Sequence, residues 1–208
     1  PLTAIANLVE PEYQKKMNKR IQSRLRSAHL RGCPQELSNC IDSAEREYLP
    51  RGITETLAAL DFIDSGLNVC ILGPSDSGKS YLAKALGIVA CNNYKVEYHH
   101  CETLLETLVA LKAQDYSKYQ KRLKKICGAA LLILDDFLLH TITDEREVKV
   151  LFEILEKRCE INLSTIICSQ REPASWSSMI LNDEVSANAI LKRATKHYTV
   201  VIKPNITD

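Results

Sequence analysis

The sequence predicts an α/β fold: a parallel sheet covered by helices on both faces, with a phosphate-binding loop after one of its strands. Three observations carry this. NVCIL at 68–72, ALLIL at 130–134 and STIIC at 164–168 are nearly continuous apolar runs, the pattern of strands buried on both faces. Stretches of helical periodicity lie between them, and strands alternating with helices build parallel sheets. Finally, GPSDSGKS at 73–80 fits G-x-x-x-x-G-K-S/T and sits between a strand and a helix, the context that motif requires.

The elements follow in order. Residues 1–31 read as a basic helix. Lys15, Lys16, Lys19, Arg20, Arg24, Arg26 and Arg31 surround an apolar stripe of Met17, Ile21, Leu25 and Ala28. Residues 32–50 contain Gly32, Pro34, Asn39 and Pro50 and read as a turn-rich linker. Two parts result: a basic helical segment with its linker at 1–50, and the main domain at 51–208. ITETLAALDFIDSG reads as one helix ending at Gly66. Then come the strand NVCILG, the helix GKSYLAKALGIVACNN, the strand KVEYHH and two helices, CETLLETLVALKA and YSKYQKRLKKIC. The strand AALLILDD, the helix EREVKVLFEILEKRCE, the strand STIICSQ, the helix SANAILKRATKH and the strand YTVVIK complete the chain.

A chain of 208 residues suffices for one α/β domain and a smaller appendage. A net charge of +1 excludes a histone-like polycation and leaves room for a local basic face. None of the eight cysteines stands in a C-x-x-C, and several lie in apolar runs, so they read as small buried hydrophobes in a reducing compartment. No apolar run approaches the ~20 residues of a membrane span. The start, PLTAIANLVEPEY, lacks the basic and apolar regions of a signal peptide, and the expected location is the cytoplasm. A first residue other than Met reads as a trimmed chain or a fragment.

The loop defines the first half of a site. The nucleotide-binding stretch is Gly73, Pro74, Ser75, Asp76, Ser77, Gly78, Lys79, Ser80 and Tyr81. Glycines let backbone N–H groups converge on phosphates, and the helix beginning at Lys79 points its positive end at them. Lys79 reaches the β- and γ-phosphates, and Ser80 offers a hydroxyl to Mg²⁺. Asp76 is awkward, because a carboxylate in the loop opposes phosphate charge unless it points outward. The second half is the acidic end of LLILDD. Asp135 would hold Mg²⁺, and Asp136 would act as general base toward water. Taken alone, the pair also fits a strand followed by a helix-capping acid. After STIIC, either Ser169 or Gln170 could sit between the acids and the γ-phosphate.

With GPSDSGKSYLAKALG, LLILDDF, STIICSQ, ANAILKR and TVVIK in this order, the chain resembles the IstB-like ATP-binding proteins of insertion sequences. These are AAA+ ATPases related to DnaC-type helicase loaders and DnaA initiators. The resemblance runs from about Glu12 to Lys203 and includes the basic lead-in RIQSRLRSAHL. It implies a P-loop NTPase of AAA+ type, a three-layer sandwich around a parallel sheet without a C-terminal lid domain. It implies ATP and Mg²⁺ as cofactors and ATP hydrolysis, with Lys79, Asp136, Gln170 at the sensor-1 position and Arg193 as the catalytic set. Arg193 matches the arginine presented to a neighbouring subunit's γ-phosphate, so an oligomer is implied as well. The helix pair at 101–127 resembles the extra helical element of the initiator clade. Its basic residues Lys118, Lys121, Arg122, Lys124 and Lys125, with Arg20 and Arg24 of the first helix, are the expected contacts to DNA phosphates. The chain departs from the family pattern in Asp76 for a usual Gly, Ser80 for Thr, and Lys192 for a common acid.

The function expected is ATP-dependent binding of duplex DNA, without sequence readout, in support of transposition, with a transposase as partner. A helicase loader on single-stranded DNA shares the fold, its partner would be a replicative helicase, and Tyr116 and Tyr119 beside the basic helix suit stacking on bases. A nucleotide-dependent scaffold without hydrolysis would follow if Asp76 spoils the loop. A small-molecule kinase would leave the LDD strand end and the basic insertion unexplained.

Overall fold

The computed structural model describes residues 2–180 and 184–205. A six-stranded sheet has the order β1-β6-β2-β5-β4-β3. The strands are β1 (Arg46–Leu49), β2 (Asn68–Leu72), β3 (Val96–His100), β4 (Leu131–Asp135), β5 (Ser164–Ser169) and β6 (His197–Pro204). All neighbours are parallel except β1 and β6, which pair antiparallel with Arg46 opposite Pro204. The helices are α1 (Leu2–Ser27), α2 (Ile53–Ala58), α3 (Asp61–Asp64), α4 (Lys79–Ala90), α5 (Cys101–Gln114), α6 (Tyr116–Cys127), α7 (Glu145–Glu160) and α8 (Glu184–Ala194).

Strand side chains alternate between the two faces, and the core divides accordingly. Val69, Ile71, Leu131, Ile133, Ile166 and Cys168 pack under α4 together with Ala28 and Leu30 from the end of the first helix and its turn. Cys70, Leu132, Leu134 and Ile167 pack against α5, α6, α7 and Trp176 on the opposite face. Every one of these ten strand positions is fully buried, which explains why the strands read as apolar runs and not as alternating ones.

Two stretches differ from the sequence reading. The linker at 32–50 ends in β1, a short strand whose Arg46 and Glu47 read as linker; Tyr48 is buried and its backbone N–H donates to Asp42 at 2.7 Å. The helix expected over 53–66 is broken into α2 and α3 at Leu60, which is left-handed at φ 63°. Leu57, Leu60, Phe62 and Ile63 are all buried. A continuous helix would turn positions 60 and 62 to different faces, and the break brings all four inward. The expectation about a C-terminal lid concerns the chain beyond residue 205, which lies outside the described residues.

Arg158 of α7 is an anchor the sequence did not reveal. It is 1% exposed, and its guanidinium donates to the carbonyls of Ile126, Cys127 and Ala129 at 2.7–3.1 Å, to Ser164 O, and to Thr165 Oγ1 at 3.0 Å. Burial lowers it to about 10. It caps the end of α6 and fixes that helix to β5. The cysteines are all free, and six are buried. Burial pushes the thiols of Cys70 and Cys101 up to about 12, so they pack as hydrophobes. Among the described residues, no helix is long and apolar enough to cross a membrane.

Candidate nucleotide and metal site

β2 leads straight into the loop and α4, at the carboxyl edge where open α/β sheets bind ligands. Gly73 and Gly78 are there because other backbone and side chains crowd them. A Cβ on Gly73 would meet Ile202 O and Ser77 Oγ at 2.6 Å each. Gly78 is left-handed at φ 99°, and a Cβ there would lie 2.5 Å from Arg46 Nη1. Asp76 is also left-handed, at φ 59°, a conformation that Asp and Asn tolerate better than most residues. It is exposed and accepts a hydrogen bond from Ser75 Oγ at 3.3 Å. The loop thus turns its acid toward solvent.

Lys79 is 5% exposed and donates to Pro74 O at 2.6 Å. Burial lowers its ammonium pKa, against the opposing pull of Cys168, Asp135, Asp136 and Asp76. The Ser77 hydroxyl is buried without a partner, and a phosphate oxygen is the acceptor it lacks. A buried ammonium, an orphaned hydroxyl and a helix N-terminus make a fit for polyphosphate. Tyr81 faces elsewhere with its hydroxyl, which accepts from Glu36 N at 3.2 Å and Asn39 Nδ2 at 3.0 Å and ties residues 36–39 to α4.

The second half comes from β4. Asp135 is fully buried, and its Oδ1 accepts from Ser80 Oγ at 3.0 Å and from Asp136 N at 3.1 Å. A hydroxyl and a carboxylate side by side are hard oxygen donors that would suit a divalent cation such as Mg²⁺. Asp136 is left-handed at φ 54° and half-exposed. Gln170 lies just past the end of β5, half-buried. Its neighbour Ser169, the other residue considered there, donates its hydroxyl to Phe137 O at 2.8 Å and so braces the strand.

Two residues of β3 were missed. Tyr98 donates to Asp135 Oδ2 at 2.5 Å, and His100 Nδ1 shares a hydrogen bond with Asp136 Oδ2 at 3.0 Å. Burial first, then the bond to Asp135, drives the Tyr98 hydroxyl far above its usual range, so it stays a donor. The two stand two apart on a strand, and their rings pack edge to face at 5.6 Å. The signal was available in KVEYHH: period two places both on one face of a strand running to the ligand edge.

Arg193 lies at the other end of the sheet. Its carbonyl accepts from Asn68 Nδ2, at the first residue of β2, whereas the loop follows the last. The guanidinium rests 4.8 Å over Phe152, pairs with Glu156 at 3.5 Å and donates to Ala189 O at 3.0 Å. Its Nε is buried without a partner.

The basic residues divide. Lys118, Lys121, Lys124 and Lys125 of α6, and Arg20 of α1, are exposed. Arg24 turns inward and donates to the carbonyls of Cys91 and Asn92, capping α4. Arg122 and Lys125 reach the buried Glu97, at 3.6 and 2.7 Å. Lys118 pairs with Asp115 at 3.3 Å. Tyr119 is fully buried and donates to Glu153 at 2.6 Å, which removes it from any stacking role, while Tyr116 is 61% exposed.

Glu97 supports a pH prediction. Burial would raise its carboxyl, but the bonds from His99 and Lys125 and the Lys125 charge outweigh that and hold it below 4.5. A depressed folded-state value contributes stability above about pH 4.5 that is lost as pH falls through the folded value. Glu97→Gln is expected to cost roughly 1–2 kcal/mol at neutral pH. Denaturant midpoints taken across pH should show that difference vanishing in acid.

The fold and this loop define the class: a P-loop nucleotide-binding α/β domain. The chain belongs to the IstB-like ATP-binding proteins, whose family pattern matches residues 2–205. It is 40% identical over 190 residues to an insertion-sequence ATP-binding protein of Sinorhizobium fredii, covering 91% of this chain and 74% of that one. Identity is 28% to the IS21 ATP-binding protein of Pseudomonas aeruginosa, over 95% of this chain and 79% of that one. Among solved structures, DnaA bound to AMPPCP and single-stranded DNA superposes with a TM-score of 0.64 at 20% identity, covering 82% of this chain and 50% of that one. The DnaC helicase loader gives 0.63 at 20% identity, covering 82% of this chain and 98% of that one. The chain therefore spans about half the length of the DnaA chain and nearly all of the loader's, and these likenesses speak to fold.

Proposed function

We propose that this chain is an ATPase that assembles on duplex DNA and assists transposition by regulating a transposase. The observation that carries the enzymatic part is the continuous set Lys79, Ser80, Asp135 and Asp136 at one sheet edge. Lys79 would exchange its bond to Pro74 O for phosphate oxygens. Ser80 and Asp135 would hold Mg²⁺, which would supply neutralisation of phosphate charge. Asp136 would orient a water and accept its proton as the water oxygen bonds to the γ-phosphorus and the bond to the β–γ bridging oxygen breaks. His100 would hold the Asp136 carboxylate, and Gln170 would orient the γ-phosphate. Arg193 sits at the sheet edge opposite its own loop, so the site it serves is a neighbour's, and ATP would favour a homo-oligomer.

The insertion-sequence relatives favour transposition, and the exposed lysines of α6 favour contacts to DNA phosphates without base readout. One observation favours helicase loading instead: the Tyr116 ring is exposed on α6, where a single-stranded base could stack.

ATP hydrolysis measured with duplex DNA, with single strands and without DNA, using Lys79→Ala as the blank, tests this. Stimulation by duplex is the expected result. Stimulation by single strands alone would replace the reading with the helicase loader. Bound ATP without turnover under any condition would make the chain a nucleotide-dependent scaffold.

A further inference from the structure

Arg46 reaches the phosphate loop from β1, with the Tyr48 hydroxyl of the same strand close by. It is the first residue of β1, and its Nη1 lies where a Cβ on Gly78 would come within 2.5 Å. Gly78 precedes the first residue of α4, so the guanidinium rests on the positive end of that helix. Lys79, a second cation and 5% exposed, is the next residue. A cation at a helix N-terminus opposes the helix dipole unless an anion lies beside it. Among the described residues, the one carboxylate in ion-pair reach of Arg46 is Glu45, at 3.9 Å and 84% exposed, which is too far and too hydrated to neutralise it. The unpartnered, buried Ser77 hydroxyl in the same loop lacks an acceptor as well.

The sheet order says which part of an anion is involved. β5 and β4, with Gln170 after one and the two acids at the end of the other, lie on one side of β2. β6 and β1 lie on the other side, and Arg46 comes from there. A nucleotide whose γ-phosphate faces Asp135 and Asp136 turns its remaining phosphates toward Arg46.

We propose that Arg46 is a nucleotide-binding residue that closes over the phosphate loop at Gly78 and contacts the phosphates common to ADP and ATP. This rests on the reading that the loop holds a nucleotide. An arginine suits the task because its planar fork gives two parallel bonds to phosphate oxygens and keeps its charge at every physiological pH.

Calorimetric titration of wild type, Arg46→Gln, Arg46→Lys and Lys79→Ala with ATP, ADP and adenosine tests it. Arg46→Gln is expected to weaken ATP and ADP by about tenfold each, the loss of one charge-assisted contact, and to leave adenosine unchanged. Arg46→Lys should recover part of the loss, and the nucleotide-free Tm of both variants should be no lower than that of the wild type. ATP and ADP affinities of Arg46→Gln within twofold of the wild type, with Lys79→Ala unable to bind, would overturn the inference alone. Lys79→Ala binding as well as the wild type would overturn the reading beneath it. A loss confined to ATP would place Arg46 on the γ-phosphate, and a lowered Tm with weaker adenosine binding would make it structural. Either result contradicts the assignment.

Discussion

Asp136→Asn is expected to leave ATP binding intact and to slow hydrolysis by about 10³-fold, the scale of a lost general base. The reasoning is geometric. The oxygen that meets Ser80 belongs to Asp135, whereas Asp136 stands one residue further on, half-exposed, with its carboxylate on His100. Asparagine has the same shape and can still meet His100, so the loop, the metal pair and the strand end stay as they are. What it loses is the basic carboxylate oxygen that takes a proton from water. Equal Kd values for ATP with a collapsed kcat would bear this out. A parallel loss of affinity would mean that Asp136 belongs to the binding set.

Arg193→Ala is expected to lower kcat by about 10³-fold as well, again with ATP affinity unchanged, because an arginine that stabilises charge in the transition state contributes on this scale. The cost to folding should be small. The pair with Glu156 is 3.5 Å long and partly exposed, and such pairs contribute little. The orphaned Nε indicates that the resting place on Phe152 does not satisfy the guanidinium fully, so leaving it for a phosphate removes a defect and not a stable contact. Steady-state rates above the concentration at which the chain assembles are the appropriate readout.

Much of this site was legible in the sequence because its parts are local. The loop is one string of eight residues, and the acids end a run of apolar residues on β4. Strands buried on both faces declare themselves as apolar runs, so β2, β4 and β5 were found in place. Legibility failed where a role depends on a partner distant in sequence. Arg46 belongs to a four-residue strand that forms only by pairing with β6, some 150 residues later, and its charge looked like linker. Tyr98 and His100 act on acids more than 35 residues away. Arg158 resembles any helix arginine until its five hydrogen bonds are traced. Leu60 breaks a helix to satisfy the core, and a periodic pattern cannot register that. On α6, basic residues of similar appearance divide into Lys118, Lys121 and Lys124, which do not pair with Glu97, and Arg122 and Lys125, which do, a division set by a residue on β3.

In the proposed mechanism one chain binds ATP and the next completes the site. The most direct test mixes two inactive proteins, Asp136→Asn and Arg193→Ala, in equal amounts with ATP and duplex DNA. The first has a sound Arg193 to lend, and the second has a sound Asp136 to receive it. In a randomly mixed assembly about one interface in four joins the two sound halves, and ATPase activity should return to roughly a quarter of the wild-type rate. Activity that stays at the level of the separate variants, while both are shown to assemble together, would contradict the claim and confine catalysis to a single chain.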